Sequence, residues 1–174
     1  DPSLYTEKLV SGAANGQQLP FRYYSAHRAL RGKGTKELQK AIEACLMVSL
    51  ENVPTFPGAT MSLCDNSGSA QGTRTSSMGT MAMSTIANLT GLLAGVRSDT
   101  GYLGVFGDRL ERLAVDPKTS VFEQLDHAER LAKGIGLGTE NGIWLFWDRA
   151  IREREHWDQV FVFSDMQAGH GGLY

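Results

Sequence analysis

Residues 159–165, Gln-Val-Phe-Val-Phe-Ser-Asp, carry four apolar side chains in a row, Val160, Phe161, Val162 and Phe163, and then stop on a carboxylate. A half-exposed strand alternates apolar with polar residues. An unbroken run instead marks a strand covered on both faces, as in a parallel sheet with helices on either side. A second short apolar run, Met-Ser-Leu-Cys at 61–64, also ends on an acid, Asp65.

The segments between these two runs supply the rest of such a layer. Residues 75–99 read as one long helix with Ala82, Ile86, Leu89, Leu93 and Val96 on one face. Residues 101–108 read as a strand ending in a turn, and 109–115 alternate as a half-exposed strand; the short connection makes the pair a hairpin. A helix follows over 120–136, with Phe122, Leu125, Ala128, Glu129 and Leu131 on successive turns and Gly134 and Gly136 closing it. Another helix is expected over 139–155. Strand, helix, hairpin, helix, helix, strand is the order of an α/β layer fold.

The first 50 residues have a different period. Leu38, Ile42, Leu46 and Leu50 form one stripe of a helix that Thr35 can cap and whose first turn holds Glu37. Pro20 stands near the start of a preceding helix with Phe21, Tyr24 and Leu30 on one side. Residues 51–60 contain Pro54 and Pro57 and read as a linker. Two domains are expected, 1–55 all-helical and 56–174 α/β.

Composition limits the function classes. With 41% apolar and 21% charged residues the chain is neither disordered nor collagen-like. A net charge of −2 over 174 residues gives no overall footprint for nucleic acid, so such contact needs a local patch. His27, Arg28, Arg31, Lys33 and Lys36 form one, though a solvated helix end with a loop accounts for it better. No apolar run approaches the roughly 18 residues that span a bilayer, which implies no membrane partner. Cys45 and Cys64 have no metal spacing and read as buried thiols of a reducing, cytoplasmic setting. The chain begins at Asp1 and reads as a piece of something longer.

Two strands that end on acids place chemistry at one end of the sheet. In open α/β sheets, sites form beyond the carboxyl ends of strands where the winding reverses. If the strands are neighbours, Asp65 and Asp165 meet there and repel unless a cation lies between them. Asp65, Ser67 and Ser69 offer a carboxylate and two hydroxyls from one loop, and Gly68 permits a tight turn. Such oxygen donors suit Mg²⁺ or Mn²⁺; zinc would call for Cys or His. The bland reading of Asp-Asn-Ser-Gly-Ser is a strand-ending turn, since each residue favours turns. Trp144 and Trp147 could stack bases or pack a helix core, Glu140 could support the ion or sit in a helix's first turn, and His127, His156 and His170 have no ligand spacing.

The Asp-Asn-Ser-Gly-Ser segment resembles the DxSxS signature of the von Willebrand factor A fold, with its metal-ion-dependent adhesion site. Thr139 in Leu-Gly-Thr-Glu-Asn-Gly and Asp165 in Phe-Ser-Asp-Met-Gln follow in that family's order. Tyr-Leu-Gly-Val-Phe-Gly-Asp-Arg-Leu-Glu-Arg-Leu, 102–113, resembles its second strand and hairpin. Residues 19–30, then a helix and Glu-Asn-Val-Pro, are similar to the junction in the Ro autoantigen (TROVE) family, where a ring of helical repeats precedes an A domain.

The resemblance implies an open, Rossmann-like A-domain sheet after the tail of a helical ring. It implies a metal set of Asp65, Ser67, Ser69, Thr139 and Asp165 that can accept a partner's acidic oxygen. It implies binding of small non-coding (Y-like) or misfolded RNA in RNA quality control, without catalysis. Arg28, Arg31, Lys33 and Lys36 are the expected RNA contacts. The alternative is a metal-dependent, protein-binding A domain with no RNA role. An A domain continues past its fourth strand, so the strand ending at Asp165 is expected to receive further strands from a protein partner, a second chain or another segment.

Enzyme readings fit less well. An aspartyl phosphotransferase wants a second acid where Ser67 stands. Gly-Ser-Ala-Gln-Gly, 68–72, places its serine one residue early for a hydrolase elbow, and no phosphate-loop motif is present. A Mg²⁺-dependent hydrolase would want an added base, and no histidine is placed for it.

Overall fold

The computed structural model describes residues 2–16, 18–72 and 81–170. The chain forms two compact units that part between Pro54 and Thr55.

The first unit holds three helices, α1 (Pro2–Asn15), α2 (Pro20–Leu30) and α3 (Lys36–Ser49), and a short 3₁₀ turn at Leu50–Asn52. Pro20 opens α2, where its missing N–H costs nothing. Thr35 caps α3: its Oγ1 accepts the Leu38 N–H at 3.2 Å. The stripe on α3 faces inward, with Ile42, Leu46 and Leu50 buried.

The second unit is an α/β sheet with helices packed against it. Its strands are β1 (Phe56–Asp65), β2 (Ser98–Phe106), β3 (Leu110–Val115) and β4 (Gln159–Phe163), in the order β3-β2-β1-β4. β1 runs parallel to both β2 and β4, and β2 and β3 form the antiparallel hairpin. The helices are α4 (Gly68–Gln71), α5 (Met83–Val96), α6 (Val121–Ala132) and α7 (Trp144–Glu153). The chain leaves β1 for β2 on one side and later returns to its other side as β4, so the winding reverses between β1 and β4.

Successive side chains of β1 point to opposite faces. Met61 and Leu63 join Phe106, Phe146 and Ala150 in a core beneath α7. Ser62 and Cys64 point at α5, where a Cβ on Gly91 would lie 3.0 Å from Ser62 Cβ and 2.7 Å from Cys64 Sγ.

Four expectations need correction. Part of the 51–60 linker is strand: β1 begins at Phe56 and runs through Pro57 and Gly58. An irregularity in its register between Phe56 and Ala59 absorbs the proline, and Gly58 adopts φ 81° there. Asp99 accepts the Gly58 N–H at 2.8 Å and Asp158 the Ala59 N–H at 2.7 Å, replacing regular ladder bonds. The helix expected over 75–99 spans Met83–Val96 among the described residues, because residues 98 and 99 already belong to β2; the expected stretch 75–80 lies outside the described residues. Gly91 and Gly95 stand where the helix crosses the sheet, and their lack of a side chain lets the backbone approach it closely. The helix expected from residue 139 starts at Trp144, because 139–143 form a loop. Finally, β4 is not covered on both faces: it is an edge among the described strands, and Val162 is 43% exposed.

Candidate metal centre

β1 carries Asp65 to the carboxyl end of the sheet, where its side chain is 1% exposed. The Ser67 N–H donates to Asp65 Oδ1 at 2.9 Å, the closed turn an aspartate makes with the amide two residues on. That turn leads directly into α4, and the Ser67 and Ser69 hydroxyls come to 3.2 Å of each other. Asn66 anchors the loop from behind. Its N–H donates to Phe106 O at 2.8 Å, its side chain pairs with Asn88 of α5, and Gln71 Nε2 donates to its carbonyl.

β4 pairs with β1 through Cys64 and Phe163, so the next residues of both strands emerge side by side. The Ser164 hydroxyl donates to Asp65 Oδ2 at 3.0 Å. Asp65, Ser164 and Asp165 line one cavity of about 230 Å³, with Met83 and Ile86 of α5 on its apolar wall. Asp165 Oδ1 is shut off from solvent and has no hydrogen-bond partner among the described residues. A buried carboxylate oxygen with nothing to neutralise it is costly, and it is the atom a cation would satisfy.

The loop at 137–143 closes the arrangement. The Gly68 N–H donates to Leu137 O at 2.8 Å, and a Cβ on Gly68 would already touch Leu137 at 3.4 Å. Thr139 is half-buried two residues beyond that contact. The structure therefore brings Asp65, Ser67, Ser69 and Asp165 to one end of the sheet and carries the Thr139 loop onto the same turn. Among the described residues no three His, Cys, Asp or Glu side chains gather as metal ligands, and this set draws only Asp65 and Asp165 from those types. Its donors are all oxygens, which fits a hard divalent ion such as Mg²⁺ or Mn²⁺. An ion held by these residues would supply positive charge to offset the two carboxylates. Cys64 is no ligand: burial, and then the neighbouring Asp65 charge, push its thiol well above its ordinary pKa, and Sγ donates to Ala87 O at 3.2 Å.

The other sequence candidates lie elsewhere. Arg28 lies in the last turn of α2, Arg31 and Lys33 follow that helix, and Lys36 begins α3; all four are exposed, in the first unit. Trp147 packs edge-on to Phe146 at 4.9 Å, whereas Trp144 is 40% exposed. Both cysteines are free and buried. Among the described residues no helix is long and apolar enough to cross a membrane.

Sequence reasoning missed Ser164, Asn66 and Asn88 as parts of the site. A polar residue in the middle of an apolar helix was the available signal for Asn88. Ser164 and Asn66 carried none beyond standing next to the acids.

No protein-family model matches the chain, and no curated protein matches it. Among solved structures, the Ro (RSR) protein of Deinococcus radiodurans is similar, with a TM-score of 0.65 and 18% sequence identity over 99% of this chain and 36% of that one. The chain thus spans about a third of that protein's length, and the likeness establishes a Ro-like fold.

Proposed function

We propose that this chain is part of a non-catalytic RNA-binding protein of the Ro type, with a divalent-metal adhesion site at the carboxyl end of its sheet. The observation that carries the reading is the Ro-like fold over 99% of the chain. The RNA is a small non-coding or misfolded RNA of the kind handled in RNA quality control. Arg28, Arg31, Lys33 and Lys36, exposed around a single turn, are suited to its phosphates. Asp65, Ser67, Ser69, Thr139 and Asp165 would hold Mg²⁺ or Mn²⁺, and the buried Asp165 Oδ1, without a partner among the described residues, supports that assignment. An open position on the ion would accept an acidic oxygen from a partner. The outer edge of β4 has no strand beside it among the described residues and would receive one from a protein partner or second chain. Two free, buried thiols are in keeping with a cytoplasmic setting.

The test is a gel-shift titration with a short structured RNA that has a single-stranded end. The wild-type chain is compared with a variant in which Arg28, Arg31, Lys33 and Lys36 are all changed to Glu. Binding by the wild type that the variant loses supports the reading. RNA binding absent from both, with proteins retained only when Mg²⁺ is present, favours the alternative, a protein-binding A domain without an RNA role.

A further inference from the structure

The three loops that carry the candidate metal ligands form a closed circuit of hydrogen bonds. Ser164 bonds Asp65, joining the first loop to the third. Gly68 bonds Leu137, joining the first to the second. The second and third are joined by two backbone bonds: the Ile143 N–H donates to Ala168 O at 2.9 Å, and the His170 N–H donates to Glu140 O at 3.0 Å. These rungs lie just beyond Thr139 on one strand of the clasp and just beyond Asp165 on the other.

The clasp depends on two glycines. Gly142 has φ 47°, and a Cβ there would lie 2.1 Å from Ala168 O, the acceptor of the first rung. Gly169 has φ 117°, and a Cβ there would lie 2.8 Å from Asn141 O and 3.0 Å from Trp144 Cδ1. Neither contact has a flexible side-chain end that can yield: one is a carbonyl, and the other pairs a carbonyl with a ring. Met166, directly after Asp165, adopts φ 89°, a left-handed conformation that an unbranched non-glycine side chain enters only under constraint from its surroundings. That turn sends the chain from Asp165 across to the 140–143 loop.

From this geometry we infer that Gly142 and Gly169 are positioning residues for the metal site: they permit a two-rung backbone clasp that fixes the spacing of Thr139 and Asp165. The inference rests on the metal reading given under Proposed function. Its consequence is that ion binding and clasp closure reinforce each other, because an ion held by both loops favours the state in which the rungs are made. Groups that orient ligands without touching the ion weaken metal affinity by about 10- to 100-fold when they are lost.

Two measurements on the full chain test it. Mn²⁺ affinity is measured by electron paramagnetic resonance for wild type, Asp65→Ala, Gly142→Ala and Gly169→Ala, and metal-free melting temperatures are recorded alongside. The expected result is Mn²⁺ binding by wild type, its loss in Asp65→Ala, and about tenfold or greater weakening in both glycine variants. Wild-type binding lost in Asp65→Ala but unchanged in both glycine variants overturns the clasp and leaves the metal site standing. Wild-type binding no better than Asp65→Ala overturns the metal reading and the clasp with it. Where a glycine variant does not fold, hydrogen exchange on wild type decides. The Ile143 and His170 amides are expected to gain at least about fivefold protection on adding Mg²⁺, and not to do so in Asp65→Ala, which follows from coupled binding and closure. Equal exchange with and without Mg²⁺ in a wild type that binds the ion overturns the clasp.

Discussion

Asn66 and Asn88 exchange side-chain amides across the gap between the β1 loop and α5. Asn66 Nδ2 donates to Asn88 Oδ1 at 2.8 Å, and Asn88 Nδ2 donates to Asn66 Oδ1 at 2.9 Å. Both residues are buried, Asn66 1% and Asn88 0% exposed, so the pair is reciprocal and shielded from water. It ties the loop bearing Asp65, Ser67 and Ser69 to a helix that is itself locked against the sheet. The Asn66 Nδ2 also donates to Cys64 O at 3.0 Å, so removing Asn88 leaves the buried Asn66 Oδ1 without its bond.

Asn88→Ala is therefore expected to destabilise the second unit by about 1–3 kcal/mol, the cost of a buried polar group left unpaired. Urea unfolding followed by circular dichroism measures it. Asn88→Asp is expected to be worse, since it adds a buried charge beside the same loop. An Asn88→Ala midpoint equal to wild type would show that the pair contributes nothing.

Gly91 sits where α5 crosses the sheet, and a Cβ there would meet Leu103 at 2.6 Å and Cys64 Sγ at 2.7 Å. Overfilling a packed interface costs about 1–3 kcal/mol. Gly91→Ala is expected in that range, and Gly91→Val is expected to prevent the unit from folding; thermal unfolding separates the two.

Asp65 and Asp165 line one cavity, and Asp165 Oδ1 is buried without a partner among the described residues. In the absence of divalent ions Asp165→Asn is expected to melt at or above the wild-type temperature, because one of two nearby negative charges is gone. On adding Mg²⁺ the wild type is expected to gain stability and the variant to gain none. A variant stabilised by Mg²⁺ as much as wild type would remove Asp165 from the ligand set.

Glu155 takes a two-pronged ion pair from Arg112, with both nitrogen–oxygen distances 2.8 Å, and accepts from Trp157 Nε1 at 3.0 Å. The hydrogen bonds from Arg112 are the main cause that lowers its pKa from the ordinary 4.5 to about 2, with Trp157 adding to the effect. A carboxylate whose folded value is depressed contributes stability above its unfolded value, and that contribution fades as pH falls through the folded value. The wild type is thus expected to lose this contribution between about pH 4.5 and 2. Glu155→Gln is expected to be less stable than wild type at pH 7 and to approach it at pH 2, a convergence that acid titrations of the unfolding midpoint detect.

For the basic turn, each phosphate contact made by Arg28, Arg31, Lys33 or Lys36 is expected to add about one unit to the slope of log affinity against log salt. Removing them singly is expected to lower that slope stepwise in filter-binding assays; an unchanged slope would show that RNA does not touch this turn.

Much of this molecule was legible in one dimension. The hairpin of β2 and β3 follows from the short turn between a strand-like run and an alternating one, the α3 stripe from its four-residue recurrence, and the Thr35 cap from its place before Lys36. These are local effects, set by neighbours in the chain, and local order reports them. The small-residue face of α5 was not legible, because a periodicity count weights bulk, whereas close approach to a sheet selects its absence at Gly91 and Gly95. Nor was the strand character of Phe56 and Pro57, which depends on Asp99 and Asp158 taking up amides that proline and a bulge leave free.

The sequence by itself determined which donors exist and their order: an acid after each of two apolar runs, hydroxyls at Ser67 and Ser69, and a threonine between. Only the tertiary structure decided that β4 returns to the far side of β1, which sets Ser164 against Asp65 and Asp165 in the same cavity. Residues 99 positions apart become neighbours through sheet pairing, and pairing is chosen by the burial of whole faces at once, a property that no short stretch of chain contains.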